Sequence, residues 1–298
     1  MSHVTVIIHS VVFLAVALCV SEGLLRCSQV LLSPQPKFQL VRTCSLSQAA
    51  VIASGRLATF ADCERLAATQ RGLALNFVDP NDLEDENQDT CLIYDCPEFD
   101  PSLLHEDIDY DYYSIYTDID LEINVTCVPM VGLFHLNSKP ANFSEALSTC
   151  EWFGGQLASV TSSERTNHLS ALVASLGRSK SLHFAYVGMH DQEQEGFFVT
   201  VADEPLNCFH FRGWAPGHPR ARRPVEDCVV LDSRRSWRVV DCRIKLPFLC
   251  ELEVITPDPC LHVRSNKWKQ KCQAEADFNR EKQRMNFQKC SHQYMDME

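Results

Sequence analysis

Fifteen cysteines in 298 residues constrain this chain more than any other feature, because each bridge ties two distant stretches together. No CxxC pair occurs, so the cysteines read as disulfides formed in an oxidising compartment. The N-terminus points the same way. Val4 to Val20 is mostly apolar, shorter than a membrane span, and is followed by Ser21-Glu-Gly23, small residues at cleavage positions. Residues 1–23 are therefore expected to be a signal peptide and the product secreted, with no membrane span in the mature chain. Loss of Cys19 with that leader leaves fourteen cysteines, an even number.

The residues from Glu226 to Cys250 read as the closing end of a stapled domain. Cys228-Val-Val-Leu, Trp237-Arg-Val-Val-Asp-Cys242 and Pro247-Phe-Leu-Cys250 are short apolar runs, and the polar Asp232-Ser-Arg-Arg-Ser turn separates the first two. Such runs are adjacent strands. A bridge between Cys228 and Cys242 would staple that hairpin across a loop of fourteen residues, worth about 3 kcal/mol in the chain-entropy model. Cys250 needs a partner from further back.

Upstream, Ala58 to Ala68 has helical spacing, and Gly72–Phe77 and Cys91–Cys96 read as strands. A helix cysteine tied to a strand cysteine, Cys63 with Cys91, would explain that order. This resembles the PAN/apple module, in which a helix is stapled to the central sheet. The family's second helix cysteine and its partner are replaced here by Ala67 and Gly72. Residues 24–96 are thus expected to be a small disulfide-rich α+β module.

Asp79 to Glu122 holds sixteen acidic residues and no Lys or Arg, which leaves +4 over the rest of a chain whose formal charge is −12. Residues 97–126 read as an acidic, Tyr-rich linker that repels itself and stays solvated. Tyr110, Tyr112, Tyr113 and Tyr116 stand among carboxylates there, a composition that resembles tyrosine-sulfation sites. No EF-hand spacing organises these acids for calcium.

Beyond Cys127, Phe143, Ala146, Leu147, Cys150 and Phe153 fall on one helix face, with Asn142 and Glu145 as a capping box and Gly154-Gly155 as the stop. Thr161-Ser-Ser-Glu164 reads as a second capping box, opening a helix with Leu169, Leu172, Val173 and Leu176 on one face and Gly177 at its end. Short strands follow, among them Phe184–Met189 and Gly196–Val201. Helices followed by short antiparallel strands make an α+β fold.

The order of Cys150, Gly-Gly-Gln-Leu-Ala-Ser-Val160, Glu164, Tyr-Val-Gly-Met189, Trp214, Glu-Asp-Cys228, Trp237, Cys242 and Phe-Leu-Cys-Glu251 resembles the C-type lectin-like domain, two helices, short strands and a long loop region, over residues 127–252. The resemblance implies the pairings Cys150 with Cys250 and Cys228 with Cys242. Sugar-binding members of that family hold calcium with a Glu-Pro-Asn or Gln-Pro-Asp triplet in the long loop and Asn-Asp after the next tryptophan. Here those places hold His218-Pro219-Arg220 and Arg238-Val239. Arginine offers donors and no acceptor, and calcium needs six to eight oxygen ligands, so no metal and no cofactor is expected at this site.

Positive charge replaces the missing acceptors. Between Arg212 and Lys245 stand nine basic residues against four acids. Arg220, Arg222, Arg223, Arg234, Arg235 and Arg238 are the candidate ligand-binding residues, suited by their guanidinium forks to sulfate, phosphate or carboxylate. The expected partner is an extracellular protein or an anionic, sulfated glycan, with no role for nucleic acid. Two alternatives stand beside this: a disulfide-linked structural or assembly protein, and a calcium-dependent lectin working through a non-standard site.

Residues 253–298 form a basic tail with Cys260, Cys272 and Cys290. With Cys127 counted among the six cysteines of the first region, the lectin-like region holds five and the tail three, so Cys208 is expected to pair with a tail cysteine or with another chain. Asn124-Val-Thr and Asn142-Phe-Ser are N-glycosylation acceptors. No nucleophile elbow, HExxH, P-loop or dinucleotide fingerprint occurs, and His183, His190, His210 and His218 show no metal-ligand spacing. The chain is expected not to be an enzyme.

Overall fold

The computed structural model describes residues 37–83, 85–116, 124–176, 183–220 and 225–254. The expected signal peptide, residues 1–23, the tail beyond 254, and Arg222 and Arg223 lie outside the described residues. Those described form two compact units, 37–135 with 252–254, and 136–251.

The first unit is a small sheet with one helix against it. Strand β1 is Gln39–Arg42, β2 is Ser45–Ser47, β3 is Ala53–Gly55, β4 is Ala74–Phe77, β5 is Cys91–Tyr94, β6 is Leu104–Glu106, β7 is Asp111–Ser114 and β8 is Val125–Val128; helix α1 is Phe60–Thr69. Thr59 caps α1 by accepting from the Asp62 amide, and Cys63 and Ala67, one turn apart, are its buried residues. The Cys63–Cys91 disulfide ties the helix to β5. A further bridge, Cys96–Cys127, which spacing alone does not assign, ties the chain after β5 to β8.

The sheet order β1-β7-β4-β5-β3 overturns the expected linker, because β7 lies between β1 and β4. Leu75 pairs with Tyr113 and Asn76 with Tyr112. The Asp-Tyr-Tyr-Ser strand alternates half-buried and buried residues, so strand period and aromatic burial outweigh the solvation of the neighbouring acids. The tyrosines are consequently core residues, which corrects the sulfation reading. Tyr110, Tyr112 and Tyr116 are each 4% exposed or less. The Tyr110 hydroxyl donates to the Asp89 carbonyl, the Tyr112 hydroxyl accepts from the Glu98 amide at 2.7 Å, and the Tyr116 hydroxyl accepts from the Leu133 amide at 3.3 Å. Half-buried Tyr113 lies with its ring centroid 4.5 Å from that of Phe60. A modifying enzyme would have to extract these rings from the fold.

Buried Asn76 organises the polar interior of this unit. Its Oδ1 accepts from the Ser47 amide and the Tyr94 hydroxyl, each at 3.0 Å, and its Nδ2 donates to the Ser45 and Asp111 carbonyls at 2.6 and 3.0 Å. Burial pushes the Tyr94 phenol well above its usual range, which keeps it a neutral donor.

In the second unit, β9 (Gly132–Ala141, entering from the first unit) leads into α2 (Phe143–Trp152), β10 (Gly155–Leu157), α3 (Ser163–Ala174), β11 (Phe184–His190), β12 (Val199–Thr200), β13 (Cys228–Asp232), β14 (Trp237–Val240) and β15 (Leu246–Leu252). Its strand order is β14-β13-β11-β15-β9, with β10 on β15 and β12 on β11. The β11–β15 pairing is parallel and the other described registers are antiparallel. The Asn142–Glu145 capping box opens α2. For α3 the cap is Ser162, accepting from the Arg165 amide, one residue later than the expected Thr161, and the helix ends at Ala174. The strand expected over 196–201 contracts to β12.

The Cys150–Cys250 disulfide joins α2 to β15 across 100 residues, and Cys228–Cys242 closes the β13–β14 hairpin. Phe143, Leu157, Tyr186 and Phe248 fill the core around the first of these. Gly188 on β11 is required by close approach, since a Cβ there would lie 2.2 Å from the Leu157 carbonyl oxygen.

Two substitutions test this packing. Asn76→Ala strands two donors and two acceptors in the first unit and should cost about 2–4 kcal/mol in denaturant unfolding. Gly188→Ala should lower the melting temperature of the second unit by several degrees, seen by calorimetry.

Candidate functional site

The long loop between β12 and β13 is held in place by Trp237, the first residue of β14. Trp237 is fully buried, its indole N–H donating to Thr166 Oγ1 at 3.2 Å. The rings of Trp214 and Phe211 meet it edge-on, with centroids 5.4 and 5.3 Å away. Backbone bonds flank the ring: Trp237 N donates to the Gly213 carbonyl at 2.7 Å, and Ala215 N donates to the Trp237 carbonyl at 2.9 Å. Gly213 has no room for a side chain, because a Cβ would sit 2.8 Å from the indole.

This suture delivers His218 and Arg220 beside β14. The His218 amide donates to the Ala215 carbonyl at 2.9 Å, and its Nδ1 accepts from the Val239 amide at 3.1 Å. Burial, then the Arg220 and Arg238 guanidiniums, hold the imidazole below its ordinary pKa. It is therefore neutral at pH 7, with its proton on Nε2.

His218, Arg220, Val225, Glu226, Arg238, Val239, Val240, Asp241 and Ile244 line a pocket of about 440 Å³. Of the six candidate arginines, the structure brings Arg220 and Arg238 together here. Arg234 and Arg235 are exposed on the β13–β14 turn, where Asp232 Oδ1 accepts from the Arg234 and Ser236 amides at 2.8 and 2.9 Å and Arg235 takes φ 68°; they are not pocket residues. Both pocket arginines have carboxylate partners. Arg220 Nη1 lies 3.2 Å from Glu226 Oε1, and Arg238 Nε lies 3.4 Å from Asp232 Oδ2 with its guanidinium 5.5 Å from the Phe184 ring centroid. On the pocket wall, Asp241 is held down at about 2 by hydrogen bonds from Arg243. A count of charges along the sequence includes these acids without pairing them. The signal for the pairing is proximity, since Glu226 follows Arg220 by six residues and Asp232 precedes Arg238 by six.

Elsewhere, Cys208 is disulfide-bonded; the tail cysteines expected to pair with it lie outside the described residues. Asn124 is exposed before β8. Half-buried Asn142 serves as the cap of α2. Among the described residues no group of three His, Cys, Asp or Glu side chains is arranged to hold a metal ion, and no helix is long and apolar enough to cross a membrane. Asp191, at the end of β11, is 4% exposed. Its Oδ2 accepts from the Gly196 amide at 2.8 Å while Oδ1 has no hydrogen-bond partner.

The family model described as the lectin C-type domain matches residues 139–252, and these residues form a C-type lectin domain. Collectin-10 of Gallus gallus is 34% identical over 118 residues, 40% of this chain and 40% of that protein. Collectin-11 of Danio rerio is 30% identical over 121 residues, 41% of this chain and 42% of that protein. The hemolymph lipopolysaccharide-binding protein of Periplaneta americana is 26% identical over 129 residues, 42% of this chain and 50% of that protein. The chain thus spans about 40% of the length of the collectins it matches. Among solved structures, the cow CD23 C-type carbohydrate-recognition domain aligns with TM-score 0.35 and 23% identity over 42% of this chain and 88% of that one.

Burial raises the Asp191 carboxyl from its ordinary value to about 6, with Glu195 and Asp227 adding to the effect against the Gly196 hydrogen bond. The folded state therefore holds a proton that the unfolded chain releases near pH 4, so this group's stabilisation is present below that pH and is lost as pH rises to about 6. In chelator-containing buffer, Asp191→Asn should flatten the fall in melting temperature between about pH 4 and 6, and stabilise the fold at pH 7 by on the order of 1 kcal/mol.

Proposed function

We propose that this is a secreted, non-catalytic binding protein whose C-type lectin domain recognises an anionic ligand, a sulfated glycan or an acidic protein segment, through the pocket between the long loop and β14. The observation that carries this reading is the convergence of Arg220 and Arg238 on one pocket. Their guanidiniums suit sulfate and phosphate oxygens. The donor set argues against calcium at this pocket. His218 Nδ1 is taken by the Val239 amide, the arginines contribute no acceptor, and the wall carboxylates Glu226 and Asp241 have arginine partners. The names of the relatives, collectins and a lipopolysaccharide-binding protein, agree with binding to carbohydrate.

In this reading the first unit is an apple-like module, supported by its helix-to-strand bridge, and Asn124 and Asn142 are glycan acceptors. The test is binding of the purified chain to neutral and sulfated glycans, with and without chelator, at low and high salt. Binding should be confined to sulfated probes, insensitive to chelator and weakened by salt. Arg220→Gln or Arg238→Gln should each reduce it about tenfold. Chelator-sensitive binding to neutral sugars would overturn the proposal.

A further inference from the structure

One side chain in the pocket has the place of its proton decided by the fold. His218 is half-buried on the long loop and lines the pocket with Arg220 and Arg238. Its Nδ1 faces the Val239 amide at 3.1 Å. A backbone N–H only donates, so Nδ1 has to accept, and the single proton of the neutral imidazole stands on Nε2. Burial, followed by the Arg220 and Arg238 guanidiniums, lowers the pKa of the ring against the pull of Glu226, and so preserves this tautomer at neutral pH. Among the described residues the Nε2–H has no hydrogen-bond partner, and the fold leaves it open to solvent. Making Nε2 an acceptor would require the ring to give up Val239.

Resting on the anion-binding reading above, we infer that His218 is itself a ligand-binding residue, whose Nε2–H joins the two guanidiniums in holding a sulfate ester. The terminal oxygens of a sulfate ester accept and never donate. Guanidiniums only donate, and the Val239 amide gives the imidazole the same fixed sense. Arg238 comes from β14, and His218 and Arg220 come from the loop, so the donors reach the pocket from two elements. Glu226 and Asp241 line the pocket as well, each with an arginine partner. The hydroxyls of a neutral sugar can also accept from these groups. A hydrogen bond to an ionised oxygen is about twice as strong as one between neutral groups, so the Nε2–H adds more to the hold on a sulfated sugar than on an unsulfated one. It does so as a directed donor that brings no further charge.

The experiment uses the full chain at pH 7.5, labelled dextran sulfate and unsulfated dextran, with affinity read by fluorescence anisotropy and stability by melting temperature. His218→Asn puts an amide oxygen where Nδ1 stands, so the Val239 amide keeps its acceptor, and empties the Nε2 position. His218→Gln reaches the Nε2 position with an amide N–H and leaves Val239 without its acceptor. The asparagine variant should therefore keep its melting temperature and weaken dextran sulfate about tenfold, while the glutamine variant should melt earlier and bind within about threefold of wild type. A purely structural histidine predicts the reverse order of affinities, and that order would overturn the assignment. Undiminished binding by His218→Asn, with Arg238→Gln still weakening it, would also overturn His218 and leave the pocket reading standing. No binding of dextran sulfate by wild type would overturn both. Should a variant fail to fold, nitrogen NMR of the wild-type imidazole decides: the Nε2 resonance of His218 should move on addition of dextran sulfate and stay still with dextran, and a resonance unmoved by bound dextran sulfate would overturn the inference.

Discussion

The second unit depends on how one indole is enclosed. Trp237 begins β14, so its backbone is committed to the sheet, yet its ring reaches Thr166 on α3 and is closed in by Trp214, Phe211 and Gly213 of the long loop. A loop of that length has a high entropy of its own. Here it is offset at one point by two backbone hydrogen bonds and a cluster of aromatic rings. The turn to His218 and Arg220, a few residues further along the chain, inherits a fixed position. The wall of the pocket at His218 and Arg220 is therefore set by core packing around Trp237.

Charge in this domain is arranged in pairs. Eight arginines between Arg212 and Arg243 suggest a basic face, but Arg220, Arg238 and Arg243 meet Glu226, Asp232 and Asp241. With their guanidinium ends open to solvent, such pairs contribute little stability. Their effect is to orient guanidiniums and to temper the local potential, so that a ligand meets directed donors and only a modest net charge.

Much of the fold is legible in the sequence because its signals are local or covalent. The capping box of α2, the buried cysteine on each of two helices and the valine-rich hairpin all follow from spacing. The differences arise where two local rules compete. Around Tyr112 the density of carboxylates suggests a solvated tether, while the alternating tyrosines carry a strand; the sheet resolves the conflict because Tyr112 pairs with Asn76 inside it. At α3, Thr161 and Ser162 are both good caps, and Ser162 is the one whose hydroxyl accepts from the Arg165 amide. In the candidate site, the basic residues can be read and their partners cannot, because whether Arg238 reaches Asp232 depends on a hairpin turn that spacing alone leaves undetermined.

The bridge between Cys150 and Cys250 also bears on how this domain would respond to force. A pull transmitted along the chain from before α2 to just beyond β15 passes from one strand of backbone to the other through that sulfur–sulfur bond. The four other cysteines from Cys150 to Cys250 are bonded to one another, so the bonded Cys208 ties the ring they close to a partner outside it, and tension reaching that partner would be shared between the two bridges.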